Sequence, residues 1–188
     1  MAEFPIVHRA GFSDQFPVVF YDELTPAKTS GPPLVLLHGG AHTAACYLTT
    51  PDGRPGWTYG LAGQGHRVIV PDWPGSGRSA KLPLAELTGE VVCAGLARVI
   101  EKVGEPVILM THSMSGAYGW RLIEMLGSRI AALVGIAPGP PGNIQPEPKI
   151  VRRDAEFVEV AALSLTWRVP LTQPLMADDQ LVDKKLVG

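Results

Sequence analysis

The stretch Val107-Ile108-Leu109-Met110-Thr111-His112-Ser113-Met114-Ser115-Gly116 joins a short apolar run to a segment of helical character. The apolar run predicts a buried strand, and residues 115–126 predict a helix that ends at Gly127. A strand that passes directly into a helix through a tight turn lifts one side chain above the sheet. The pattern therefore predicts that Ser113 occupies such a turn as a candidate nucleophile.

The residues around Ser113 are small enough for this turn. Thr111 and Ser115 stand where the common G-x-S-x-G pattern has glycines, and Gly116 adds room. The turn directs the Met114 amide toward the place where an acyl oxygen would develop negative charge. An alternative stays open at this point, in which Ser113 or Ser115 only caps the helix by accepting hydrogen bonds from its free amides.

A second apolar run ends in a glycine pair, in the stretch Leu34-Val35-Leu36-Leu37-His38-Gly39-Gly40-Ala41. A loop of this kind can supply the second donor to an oxyanion, with the backbone amides of Gly40 and Ala41 as the candidates, or it can be a plain turn from strand to loop. One such donor is worth roughly 3 to 4 kcal/mol of barrier. His38 and Gly39 are expected to support the loop, with His38 bracing it.

A third β-branched run, residues 67–71, breaks into a loop with the pattern D-x-x-G-x-G-x-S, Asp72 to Ser79. A dinucleotide-binding loop would need a third glycine and an immediate helix, which residues 78–83 do not provide. The three motifs, in this order, resemble the α/β-hydrolase superfamily. The resemblance implies an α/β fold with a mostly parallel sheet and no cofactor.

A finer resemblance comes from residues 50–57, T-P-D-G-R-P-G-W, together with H-S-x-S-G at residues 112–116. This combination is similar to a branch of bacterial serine esterases. It implies acyl transfer to Ser113 from small-molecule carboxylic esters, and a serine nucleophile argues against epoxide hydrolases, which use aspartate there. The branch places its triad glutamate just after strand six, where this sequence has Ala137. Glu147, Asp154 or a residue absent from this chain therefore remain candidates for the acid.

The histidines leave the general base unassigned. They are His8, His38, His42, His66 and His112, and none follows Ser113. Because the resemblance places the base late in the chain, we expect these residues to be the N-terminal part of a hydrolase, inactive by itself. His42 lies near the expected site but would need unusual geometry to reach Ser113. The alternative function is a non-catalytic small-molecule-binding protein on the same scaffold.

The remaining pattern predicts the order of the elements. Antiparallel strands are expected at Val7–Arg9 and Pro17–Tyr21, and a linker at residues 25–33. Buried strands are expected at Leu34–His38, Val68–Pro71, Val107–Met110 and Ala132–Ile136, with a long helix over Leu84–Val103. The sheet is expected to stop after strand six, so that residues 1–148 form the core and residues 149–188 start a cap or an irregular tail. The last strand would then be an exposed apolar edge that favours self-association.

Composition narrows the class of protein. The chain has 188 residues, 46% of them hydrophobic and 18% charged, with a net charge of −2. This balance predicts a soluble core and indicates neither a nucleic-acid nor a membrane partner. We expect a cytoplasmic protein; the sequence does not indicate its oligomeric state. The two cysteines lack the spacing of a disulfide framework or a zinc site, so no metal is expected. We expect Cys46 in a loop and Cys93 in the core.

Overall fold

The computed structural model describes residues 5–141, 149–153, 157–162 and 165–170. A six-stranded sheet forms its centre, with strand order β1-β2-β4-β3-β5-β6. The strands are β1 Ile6–Phe12, β2 Phe20–Pro26, β3 Leu34–Leu37, β4 Val68–Pro71, β5 Val107–His112 and β6 Ile130–Ile136. The β1–β2 and β2–β4 pairs are antiparallel, and the β4–β3, β3–β5 and β5–β6 pairs are parallel. The sheet is therefore mostly parallel, as the sequence predicts.

Helices cover both faces of this sheet: α1 Ala45–Leu48, α2 Trp57–Gly63, α3 Gly89–Val103 and α4 Ser115–Leu126. Alternate strand residues enter two separate cores. Val35, Leu37 and Ile69 pack with α3 and α4 in one core. Leu34, Leu36, Val68 and Val70 pack with α1 and α2 in the other. Burial on both faces explains why β3 and β4 consist of uninterrupted apolar residues.

Two predicted elements begin later than expected, and β1 and β6 are longer than the expected Val7–Arg9 and Ala132–Ile136. The helix expected from Leu84 begins at Gly89, because the Thr88 side chain accepts a hydrogen bond from the Val91 amide and caps it there. The second strand, expected at Pro17–Tyr21, runs from Phe20 to Pro26. The Ser13 hydroxyl accepts a hydrogen bond from the Val19 amide and holds residues 13–19 in a turn, which delays the strand.

The two cysteines lie on helices. Cys93 is buried on α3, which confirms it as a small core residue. Cys46 is exposed on α1, so its expected place in a loop is wrong. The short α1 has little helical periodicity to reveal it in the sequence.

β6 forms one edge of the sheet within the described part of the chain, since β5 is its paired neighbour there. Its residues are half-buried or exposed, and Val134 is 42% exposed. The expected apolar edge is present, and self-association through it stays a prediction.

Three further strands form a separate antiparallel sheet in the order β7-β8-β9: Lys149–Arg153, Phe157–Ala162 and Leu165–Pro170. The sequence does not indicate these strands, because prolines surround them and the sequence after residue 148 shows no regular alternation of strand and helix patterns. The assignment of residues 149–188 to a cap stays a prediction, and residues 171–188 lie outside the described residues. In the described part of the chain, none of the helices has the length and apolar character needed to cross a membrane.

Candidate active site

Ser113 lies in a sharp bend between β5 and α4. Its φ is +51°, a left-handed value that costs free energy in a residue other than glycine. Three backbone hydrogen bonds hold it there: its amide donates to the Ile136 carbonyl (3.1 Å), and its carbonyl accepts from Gly116 (2.9 Å) and Gly139 (2.6 Å). Ser113 itself is exposed. The bend therefore presents the side chain that the sequence singles out.

The neighbours that replace the usual glycines are accommodated by packing. Thr111 is fully buried, and Gly119 on α4 makes room for it, since a Cβ at Gly119 would lie 2.8 Å from the Thr111 methyl carbon. The Ser115 hydroxyl accepts from the His112 amide (2.8 Å) and lies 3.0 Å from the Leu37 carbonyl, to which it donates. Ser115 thus ties the bend to β3 and is itself buried.

The loop that follows β3, here called the HGG loop (residues 38–44), lies directly against this bend. A Cβ at Gly39 would lie 3.1 Å from the Ser113 Cβ, and a Cβ at Gly40 would lie 3.4 Å from the Met114 methyl. Ala41 has a φ of +60°. The structure thus brings together Ser113, Met114 and residues 39–41, which the sequence predicts to form one site.

His38 is a structural residue of the HGG loop. Its side chain is fully buried and stacks on Trp73 with ring centroids 4.5 Å apart. Nε2 accepts from the Trp73 amide (3.4 Å), so Nδ1 carries the proton and donates to the Gly39 carbonyl (2.9 Å). Burial lowers the pKa of His38 to about 4. The imidazole is therefore neutral near pH 7, with both nitrogens engaged, and is unsuited to act as the base.

The other histidines divide into two groups. His42 and His112 lie near the bend, with ring centroids 6.1 Å apart. His8 pairs with Asp22 at the β1 side of the sheet (2.9 Å). Nδ1 of His66, just before β4, donates to the Pro32 carbonyl (2.8 Å) at the opposite end of the strands from Ser113.

A cavity of about 260 Å³ opens beside the bend. Its lining residues are His42, Cys46, Tyr47, Trp57, His112 and Ile136. It adjoins the candidate nucleophile, because His112 precedes Ser113 and the Ile136 carbonyl accepts from the Ser113 amide. Tyr47 and Trp57 are missed as lining residues by the sequence analysis, although Trp57 ends the T-P-D-G-R-P-G-W motif that could have indicated it.

The position after β6 carries no acidic side chain. Ala137, which stands there, has a φ of +43°. Glu147 and Asp154, the candidate acids of the sequence analysis, lie outside the described residues. Within the described ranges, no three His, Cys, Asp or Glu residues are grouped so that they would hold a metal ion.

Comparison with known proteins identifies the family. A family model described as the alpha/beta hydrolase family matches residues 34–186. The chain belongs to this family. This alpha/beta hydrolase is 23% identical over 185 residues to the fungal protein named Probable secreted lipase phiG, covering 65% of this chain and 50% of the lipase. It is 30% identical over 123 residues to Epoxide hydrolase B of Mycobacterium tuberculosis, covering 60% of this chain and 30% of that protein.

A solved structure of a bacterial esterase shares the fold with a TM-score of 0.58 at 19% identity, covering 73% of this chain and 67% of the esterase. The chain spans about half the length of the curated lipase and less of the epoxide hydrolase. These comparisons establish that the chain is an alpha/beta hydrolase, and they do not identify its substrate.

Proposed function

We propose that this alpha/beta hydrolase cleaves carboxylic esters by acyl transfer to Ser113. The observation that carries the proposal is the exposed Ser113 at a φ of +51°, between β5 and α4 and against the HGG loop. A helix-capping serine needs no such left-handed bend. The lipase and esterase names of two relatives favour an ester as the substrate.

In the proposed reaction, the Ser113 hydroxyl oxygen attacks the carbonyl carbon of the ester. The carbonyl oxygen becomes negatively charged and accepts hydrogen bonds from the Met114 amide and from the amide of Gly40 or Ala41. The tetrahedral intermediate then expels the alcohol and leaves an acyl-serine, which water hydrolyses. The cavity beside Ser113 would receive one arm of the substrate.

This reaction requires a base that takes the Ser113 proton and later protonates the leaving alcohol. His38 is neutral with both nitrogens bonded, and His8 and His66 lie elsewhere on the sheet. We place the base in sequence that follows Gly188 in the complete gene product, as in the serine esterases that the sequence resembles. His42 and His112, which both line the cavity, are the alternatives within this chain.

One observation favours the second candidate, a non-catalytic small-molecule-binding protein. Ala137 occupies the position after β6 where the resemblance to serine esterases implies the triad acid. Such a protein would retain the cavity and the bend and would bind esters without hydrolysing them.

The two functions are separated by ester hydrolysis with the full-length gene product. We expect Ser113→Ala to lower kcat for p-nitrophenyl acetate by about a thousandfold or more. Ser30→Ala is the matched control, because Ser30 is an exposed serine at the other end of the strands, and we expect its substitution to leave the rate unchanged. Full activity in Ser113→Ala would exclude the proposed nucleophile.

The same assay tests the position of the base. The isolated 188-residue chain is expected to hydrolyse activated esters negligibly and to react slowly with a fluorophosphonate, because an unactivated serine hydroxyl is a weak nucleophile. Rapid stoichiometric labelling of that chain would contradict a base beyond Gly188 and would favour His42 or His112 as the base.

A further inference from the structure

The loop that follows β4, here called the DWPGSG loop (residues 72–80), contacts the HGG loop, and a buried carboxylate makes one of these contacts. Asp72 is 1% exposed. Its Oδ1 accepts from the Ala44 amide (2.7 Å), at the end of the HGG loop, and its Oδ2 accepts from the Arg78 amide (2.9 Å). Both oxygens are thus occupied by protein donors, so Asp72 is not placed to bind substrate.

The DWPGSG loop wraps closely around this carboxylate. Gly77 has a φ of +47°, and a Cβ there would lie 2.2 Å from Oδ2 of Asp72. The Asp72 carbonyl accepts from the Ser79 hydroxyl (2.6 Å), and that hydroxyl accepts from the Phe20 amide on β2 (2.8 Å). The D-x-x-G-x-G-x-S pattern therefore supplies the carboxylate, the space around it and the serine that fixes its backbone.

Two adjacent residues hold both ends of the HGG loop. The Trp73 amide donates to Nε2 of His38 at the start of the loop (3.4 Å), and Asp72 accepts from Ala44 at its end (2.7 Å). Gly40 and Ala41 lie between these two anchors. A preorganised donor stabilises an oxyanion only if its amide is already held in place before the reaction.

From this arrangement we infer that Asp72 is a positioning residue, which clamps the HGG loop so that its amides face the developing oxyanion. The link to the oxyanion rests on the proposed function, whereas the clamp itself does not. The negative charge strengthens the bond to Ala44, because hydrogen bonds to an ionised acceptor are about twice as strong as neutral ones.

Asp22 provides a matched control for the loss of a buried charge. It is 3% exposed and, like Asp72, pairs with Arg78, whose guanidinium also lies over the Phe20 ring at 3.7 Å. Asp22 lies on β2, and the hydrogen bonds described for it go to Arg78 and His8 and not to the HGG loop. Replacing Asp22 therefore removes a carboxylate from the same arginine but leaves the Ala44 bond intact.

The test is hydrogen exchange of the backbone amides in residues 38–44 of the full-length gene product. We expect Asp72→Ala to accelerate exchange of the Ala44 amide about tenfold. Asp72→Asn should act in the same direction, and it decides the question if the alanine variant does not fold. Asp22→Ala and Asp22→Asn should change this exchange less than about twofold. The clamp would be refuted if exchange of the Ala44 amide were accelerated equally in the Asp72 and the Asp22 variants, or if it were not accelerated in the Asp72 variants.

Ester hydrolysis then tests the link to the oxyanion separately. The Asp72 variants should lose about tenfold in kcat with KM within about twofold, because the donors act in the transition state. The Asp22 variants should keep kcat within about twofold even where their stability falls. An unchanged kcat in the Asp72 variants would overturn the positioning role. If the unmodified protein hydrolyses no ester, the proposed function fails. The hydrogen-exchange comparison of the Asp72 and Asp22 variants then still tests whether Asp72 holds the HGG loop.

Discussion

The contact between the first turn of α4 and the chain after β6 gives the most demanding test of the bend. A Cβ at Gly116 would lie 2.4 Å from the Gly139 carbonyl oxygen and 2.6 Å from the Gly139 nitrogen. Both are backbone atoms, so no flexible side chain can move aside. We therefore expect Gly116→Ala to displace residues 137–139 and to weaken the bond from the Gly139 amide to the Ser113 carbonyl.

The size of the effect follows from two opposed contributions. Alanine favours a helix over glycine by about 1 kcal/mol, whereas overpacking of this kind costs about 1 to 3 kcal/mol, with backbone contacts toward the upper end. The net expectation is a loss of about 1 to 2 kcal/mol in the free energy of unfolding, or about 2 to 8 °C in Tm for a chain of this size.

Chemical denaturation followed by far-UV circular dichroism measures this difference. Gly60→Ala on α2 is the matched control, because nothing lies within 4 Å of a Cβ there and the same substitution gains helix propensity alone. It should stabilise the protein by about 0.5 to 1 kcal/mol. If Gly116→Ala were as stable as Gly60→Ala, the close packing of the bend against residues 137–139 would be refuted.

Three further predictions address the fold. The folded-state pKa of His38 is about 4 against an ordinary 6.5, so the unfolded chain takes up a proton first, and the free energy of unfolding falls by about 3 kcal/mol as the pH decreases from 6.5 to 4. His38→Asn should flatten the dependence of the unfolding free energy on pH in this range, and an unchanged slope would contradict the assignment to His38. Thr88→Ala should lower the free energy of unfolding by about 1 kcal/mol through loss of the α3 cap, and an unaltered denaturation midpoint would refute the cap. Val134→Lys, at the exposed β6 edge, should shift the isolated chain toward monomer in size-exclusion chromatography, and self-association that persists would rule out this edge as the contact.

The sequence predicts the parts of this fold that depend on local pattern. Apolar runs such as residues 34–37 and 68–71 are continuous because both faces of their strands are buried, so they are recognisable without the rest of the chain. The bend at Ser113 is predicted for the same reason, since its small neighbours are adjacent in sequence.

The features that no sequence pattern indicates depend on contacts between distant residues. Thr111 fits at a glycine position because Gly119 makes room for its methyl group, and that fit is visible only in the folded chain. β2 begins at Phe20 and not at Pro17, since Tyr21 to Leu24 pair with β4 across the sheet. The bond from Ala44 to Asp72 joins positions 28 residues apart, so no local pattern indicates it.

The proposed nucleophile of this alpha/beta hydrolase is the Ser113 side chain. This assignment is tested most directly by reacting the full-length gene product with a fluorophosphonate and locating the adduct by peptide mass spectrometry. We expect one adduct, on Ser113, formed in step with loss of ester hydrolysis. An adduct on Ser115 or another residue, or ester hydrolysis that continues after Ser113 is fully modified, would contradict it.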